Sequence, residues 1–198
     1  MNETIKYYND NAAAYYDSTV NADLTTIREA FASFLPDGAT IIDIGCGSGR
    51  DVKAFCDLGY KAIGLDSSEE LAKLAKEKLG IDVIIGDMSS WVSDVPYDGI
   101  WSCASLIHLN DIEKVQFFKD LEQNLKSGGI IYISVKEGVE TGIDEKGRFI
   151  SNCTFEKLQK YLQDADCRVI EKIITEDKLD RDTKWLNVIA KKNGQIAE

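Results

Sequence analysis

Residues 41–51 read Ile41-Ile42-Asp43-Ile44-Gly45-Cys46-Gly47-Ser48-Gly49-Arg50-Asp51, an apolar run holding one acid that then breaks into glycines at alternate positions. The run has the composition of a buried strand, and the glycines let the backbone adopt positive φ and let a ligand approach the main chain closely. A helix opening after them presents free N–H groups to an anionic group such as a carboxylate or a phosphate. Two further apolar runs end in an acid: Ala62-Ile63-Gly64-Leu65 in Asp66, and Val83-Ile84-Ile85-Gly86 in Asp87. Asp66 stands where a carboxylate accepts both hydroxyls of a ribose. Three successive strands carrying a terminal carboxylate outline a nucleoside site.

The glycine spacing narrows the ligand. A dinucleotide loop reads G-x-G-x-x-G, its third glycine admitting close helix packing beneath a pyrophosphate. Here Gly45, Gly47 and Gly49 run G-x-G-x-G, and Arg50 stands where that third glycine would fall. Asp43 would repel a pyrophosphate and attract an ammonium group. The phosphate-loop ending Gly-Lys-Ser/Thr is absent. On these residues the chain resembles the class I S-adenosylmethionine-dependent methyltransferases, whose first motif is an acid followed by G-x-G-x-G. The resemblance runs from roughly residue 5 to 192.

That resemblance implies S-adenosyl-L-methionine as cofactor and assigns its contacts. Asp43 and the loop Gly45, Cys46, Gly47 and Gly49 form the methionine end, and Asp66 holds the ribose. Ser67 packs beside the adenosine, Asp87 accepts from the adenine amino group, and Met88 flanks the ring. Cys103 and Ala104, past the fourth strand, touch the cofactor where it faces the acceptor. His108 is the only histidine of the chain. An imidazole near neutral pKa is suited to removing an acceptor's proton, so His108 is the candidate general base. Its other reading is a locally bonded residue that shapes the pocket.

Two segments flank this site. Residues 3–18 carry Tyr7, Tyr8, Tyr15 and Tyr16 in a helix-compatible stretch, which reads as an N-terminal lid that contributes Tyr8 and Tyr16 to the substrate side. Residues 136–153 are glycine-rich and mixed in charge, a loop over the acceptor site with Lys136, Arg148 and Phe149 as candidate substrate contacts. The base-amino methyltransferase signature Asn/Asp-Pro-Pro-Tyr/Phe is missing after the fourth strand, where the chain reads Ser102-Cys103-Ala104-Ser105.

Between these segments strands and helices alternate, as in a parallel sheet with crossover helices. Strands are expected near 39–44, 61–65, 82–85, 98–103 and 129–135. Helices are expected near 22–35, 49–58, 69–79 and 111–126, with a short one at 88–92 and a stop at Ser127-Gly128-Gly129. A last helix near 154–164 precedes strands near 167–175 and 184–192 with no helix-length gap, so these two pair as a hairpin. The expected fold is a three-layer Rossmann-like methyltransferase fold: a seven-stranded, mostly parallel sheet of order 3-2-1-4-5-7-6 with the last strand antiparallel. Residues 1–198 form one domain, with a helical cap over about 1–36 and the substrate-side loop over about 136–153.

Composition bounds the partners. Lys plus Arg total 23 against 34 acids, a net charge of −11, which disfavours nucleic acid and suits a cationic cofactor with a neutral or cationic small molecule. No apolar run reaches membrane-spanning length, and the polar start lacks the pattern of a secretory signal, so a cytoplasmic monomer or homodimer is expected. Five cysteines without C-x-x-C spacing, beside one histidine, count against a zinc site. The leading reading is a methyltransferase of a small molecule. An RNA or protein methyltransferase working with a partner is the first alternative, and a non-catalytic S-adenosylmethionine-binding module is the second.

Overall fold

The computed structural model describes residues 3–177 and 183–194. Five parallel strands form the body of its main sheet: β1 (Thr40–Ile44), β2 (Lys61–Asp66), β3 (Val83–Ile85), β4 (Tyr97–Cys103) and β5 (Leu125–Lys136). Two further strands, β8 (Cys167–Glu176) and β9 (Lys184–Lys192), complete it, with β9 antiparallel to both neighbours. The order is β3-β2-β1-β4-β5-β9-β8. It differs from the expected numbering because the loop after β5 holds a small antiparallel ladder, β6 (Gly142–Ile143) with β7 (Phe149–Ile150). The fold class is the expected one.

Alternation along β1 shows why helices must cover both faces. Ile41 packs with Phe31 of α3 (Thr25–Ala32), Phe55 of α4 (Arg50–Asp57) and Trp101. Ile42 and Ile44 point the other way, into a cluster with Phe117 and Leu121 of α6 (Asp111–Asn124) and Leu158 of α7 (Phe155–Asp164). Helix α5 (Glu69–Leu79) is capped by Ser68, whose hydroxyl accepts from the Leu71 amide at 3.2 Å. A capping box starts α6, with Asn110 and Glu113 each bonding the other's backbone N–H.

Four expectations need correction. The N-terminal stretch is two helices, α1 (Glu3–Asp10) and α2 (Ala12–Thr19), broken at Asn11. The segment near 88–92 makes a turn at 88–90, which Asp87 closes by accepting from the Ser89 amide and hydroxyl. Helix α6 ends at Asn124, before the glycine pair. β5 starts at Leu125 opposite Tyr97, and Gly128, at φ +76°, lies at the register shift. A 3₁₀ turn over Leu106–His108, unforeseen in the sequence, carries the histidine.

The strand order reverses between β1 and β4. Ligands of open α/β sheets bind at the carboxyl ends of the strands beside such a switch point. Gly45 and Ala104 begin the two loops that leave it.

Candidate active site at the carboxyl edge of the sheet

Gly45, Gly47 and Gly49 all hold positive φ, at +73°, +54° and +75°. Gly45 and Gly49 also have no room for a side chain, and Gly47 has little. A Cβ on Gly45 would lie 2.4 Å from the Ser105 Cβ, and one on Gly49 would lie 2.2 Å from the Ile81 Cδ1. A Cβ on Gly47 would sit 3.1 Å from the Tyr15 ring. Cys46 fits because Gly64 opposite it lacks a side chain; a Cβ there would fall 2.5 Å from the Cys46 Sγ.

Asp66 closes this loop from the end of β2. One carboxylate oxygen accepts the Gly47 amide at 2.8 Å, and the other accepts the Ser68 amide at 2.8 Å. Its position in the cavity strips water from the carboxyl and raises its pKa, which those amides partly offset. Each oxygen keeps a second lone pair for a hydroxyl. Asp43 is only 2% exposed, and its Oδ1 has no hydrogen-bond partner. Burial, then the nearby Asp51, pushes its pKa well up. An unpartnered buried carboxylate oxygen is costly unless a donor arrives.

Two cavities open on this loop. The smaller, with about 370 Å³ of empty space, is lined by Asp66, Leu71, Met88, Tyr8, His108 and Gly47 among others. The larger, about 750 Å³, reaches from Asp43 and Arg50 to Tyr132, Trp185 and Asn187. Tyr15, Gly45, Cys103 and Ala104 line both. Ala104 holds φ at +59°, a costly region for a residue with a side chain, and its amide donates to the Ser134 hydroxyl at 2.9 Å. Burial lifts the Cys103 thiol to about 11, so it is protonated at neutral pH.

Cofactor and substrate candidates divide accordingly. Asp43, the loop residues, Asp66, Met88, Cys103 and Ala104 come together. Ser67 instead braces the strand ends, donating to the Gly86 carbonyl at 2.9 Å, and Asp87 is exposed in its turn. Tyr16 is packed into the interior, and Tyr15 takes the place expected for it, because the break at Asn11 resets the helical phase. Lys136 lies over the Trp185 ring, 5.9 Å from its centroid, outside both cavity linings.

Tyr8, His108, Arg148 and Phe149 meet as a latch between α1 and the β6–β7 ladder. Arg148 forks onto Asp144, its Nη2 donating at 2.7 Å, and its Nη1 donates to the Tyr8 hydroxyl at 3.0 Å. His108 Nδ1 lies 2.7 Å from the Phe149 carbonyl, which can only accept, so that nitrogen carries the proton. Nε2 therefore accepts from the Tyr8 hydroxyl at 2.9 Å. The Phe149 amide donates to Thr4 Oγ1 at 2.9 Å, and the Ser68 hydroxyl to Asn9 Oδ1 at 2.7 Å. From below, the fully buried Lys114 donates to Ser151 Oγ at 2.5 Å, and Ser151 bonds the Ile107 carbonyl beside the histidine. A base role for His108 requires Tyr8 to release Nε2 first.

Burial lowers the His108 pKa to about 4, so the ring is neutral at pH 7. An unfolded histidine titrates near 6.5. Between those values the open chain binds a proton that the latched ring refuses. The latch therefore holds fully above about pH 6.5 and loosens as pH falls through about 4. With one histidine in the chain, the imidazole signals in an NMR titration belong to this residue alone. They are expected to titrate far below 6.5; a midpoint at 6.5 would show a solvated ring and no latch.

Sequence reasoning missed a buried network behind the loop. Asp51 Oδ1 accepts from Arg28 Nη1 at 2.6 Å and Arg50 Nε at 3.0 Å. Its Oδ2 accepts from Arg50 Nη2 at 2.6 Å and the Trp101 indole at 3.1 Å. Burial alone would raise the Asp51 carboxyl, but Arg50 and Arg28 outweigh it and hold the pKa below its usual range. Arg50 also donates to the Thr19 carbonyl at 3.2 Å, which ties α2 to the glycine loop. Only the adjacency of Arg50 and Asp51 was visible in the sequence.

A methyltransferase-domain family model matches residues 41–129, from β1 into β5. An uncharacterized methyltransferase of Geobacillus sp. strain WCH70 is 32% identical over 124 residues, covering 57% of this chain and 58% of that one. The chain thus spans less than two thirds of that relative's length. Among solved structures, Burkholderia thailandensis 1,6-didemethyltoxoflavin-N1-methyltransferase, with its substrate and S-adenosylhomocysteine bound, superposes with a TM-score of 0.76 at 19% identity. That match covers 96% of this chain and 85% of the other. A putative methyltransferase of Haloferax volcanii, solved in complex with the Trm112 methyltransferase activator, gives 0.77 at 19% identity, covering 98% of this chain and all of the other. At such identities the likeness is one of fold. Over residues 41–129 the chain is similar to a methyltransferase domain, and the solved methyltransferases share its Rossmann-like fold. Among the described residues, no helix is long and apolar enough to cross a membrane.

Proposed function

We propose that this protein is a cytoplasmic methyltransferase that transfers a methyl group to a small-molecule acceptor by in-line displacement. One observation carries the reading: the adenosine-sized cavity and the larger cavity share a wall made by Tyr15, Gly45, Cys103 and Ala104. Two ligands held on either side of that wall meet at the switch point.

The residues fit the cofactor. The partnerless oxygen of Asp43 suits the methionine ammonium, and the bare glycine backbone admits the methionine chain. Asp66 takes the ribose diol, Leu71 and Met88 flank the adenine, and Asp87, exposed in the turn that Met88 begins, is the candidate acceptor for its amino group. Cys103 and Ala104 border the reacting centre, and Ser67 braces the adenosine side through Gly86. When bound, S-adenosylmethionine supplies a methyl carbon already activated by its sulfonium. The protein's own work is alignment and exclusion of water, which can lower such a barrier substantially. Tyr8, Arg148, Phe149 and His108 hold the lid closed for that purpose. Lys136 and Tyr16 support the acceptor wall and the lid from outside the cavities.

A partner-dependent macromolecular acceptor is the second reading, favoured by the Haloferax neighbour solved with an activator. The net charge of −11 counts against RNA. Incubating the isolated chain with S-adenosylmethionine and fractionated metabolite pools is expected to release S-adenosylhomocysteine from at least one low-molecular-mass fraction. Release only with macromolecular fractions would favour the partner-dependent reading, and binding without any release would mark a non-catalytic module.

A further inference from the structure

The far end of the larger cavity has a chemistry of its own. Beyond the shared wall it is lined by Tyr132 and Ser134 of β5, Trp185 and Asn187 of β9, and Glu176 and Asp177 at the end of β8. Asp177 is 8% exposed and accepts the Trp185 indole N–H at 2.7 Å, which fixes that ring against the cavity. Glu176 is exposed beside it. Among the described lining residues the carboxyl groups are Asp43, Asp51, Glu176 and Asp177, beside one guanidinium, Arg50. Arg50 is committed through two nitrogens to Asp51. The same cavity holds the unpartnered Oδ1 of Asp43, which the cofactor reading above gives to the methionine ammonium. Lys136 stands over the Trp185 ring but is not part of the lining.

This lining sorts acceptors by the proton they must lose. Removing a proton from an alcohol or phenol calls for a base poised near neutral pH. The thiol and phenols here do not supply one: burial pushes up the Cys103 thiol and the Tyr15 and Tyr132 phenols, His108 lines the other cavity, and the raised carboxyl of Asp43 is taken by the methionine ammonium in the cofactor reading above. A carboxylate acceptor would meet like charges. An amine needs no strong base, and its ammonium form is attracted both to carboxylates and to an indole face.

Resting on the methyltransferase reading above, we infer that the acceptor is a small amine, drawn in as an ammonium by Glu176 and Asp177, set against Trp185 and methylated on nitrogen. The ammonium gives one proton to a rim carboxylate or to water. Its freed lone pair forms the N–C bond as the C–S bond breaks, the bonding pair stays on sulfur, and a methylammonium product leaves.

The test is binding to the full chain loaded with S-adenosylhomocysteine, by calorimetry, using three probes that share a ring: phenethylamine, 4-ethylphenol and phenylacetate. Phenethylamine is expected to bind about tenfold more tightly than either of the others. Glu176→Gln is expected to weaken phenethylamine about two- to fivefold and leave 4-ethylphenol unchanged. Failure of S-adenosylhomocysteine to bind would bring down the methyltransferase reading itself. If it binds, while phenethylamine shows no binding or no preference over the phenol and the acid, the amine assignment alone is overturned.

Discussion

Asp51→Ala is expected to lower the unfolding free energy by about 3–5 kcal/mol, the range for removing one partner from a buried ion pair. The Arg28 and Arg50 side chains are 11% and 18% exposed, so the two guanidiniums would lose their shared acceptor with little water to replace it. The Trp101 indole N–H, fully buried against the stacked Tyr132 ring, would lose its acceptor as well. Asp51→Asn keeps the shape and one acceptor and should fall between the two. Urea unfolding reads this as a drop in midpoint at unchanged slope. A shift equivalent to less than about 1 kcal/mol, the value of a surface pair, would show that the guanidiniums reach solvent. Arg28 belongs to α3 and Arg50 bonds the end of α2, so the same variant should also loosen the helical cap over the site.

Asp66→Ala is expected to weaken S-adenosylhomocysteine binding by about 1.5–3 kcal/mol, the loss of hydrogen bonds to a charged group. Because the Gly47 and Ser68 amides also lose their acceptor, the fold should weaken by about 1–3 kcal/mol in the same variant. Asp66→Asn keeps one acceptor oxygen and should lie between wild type and alanine in both readouts. Affinity equal to wild type in both variants would show that the β2 carboxylate does not hold the ribose.

The parts of this molecule legible in its sequence are those specified locally. Apolar runs that end in an acid set β2 and β3, and the alternate glycines announced a loop that the structure holds at positive φ with little or no room for a Cβ. The closing hairpin followed from the missing helix between β8 and β9. What stayed hidden depends on residues far apart in the chain. Asp51 meets Arg28 and Trp101 across 23 and 50 positions, and the latch joins Thr4 to Phe149 across 145. The choice of Tyr15 over Tyr16 turned on one break at Asn11, which no periodicity in a tyrosine- and alanine-rich stretch reveals. The early end of α6 was masked by Ser127-Gly128-Gly129, a strong stop signal that here serves a register shift inside β5.

The latch also gives His108 a task that needs no proton transfer. Its neutral ring joins the Tyr8 hydroxyl of α1 to the Phe149 carbonyl of the acceptor-side ladder. One ring thus ties α1 to that ladder.

Calorimetric titration of the wild-type chain with S-adenosylhomocysteine, and separately with NAD, probes the glycine loop, Asp43 and Asp66 together. One S-adenosylhomocysteine is expected to bind per chain with micromolar affinity, and NAD is expected to give no measurable heat. NAD as the preferred ligand, or no binding of S-adenosylhomocysteine, would contradict the assignment of this site.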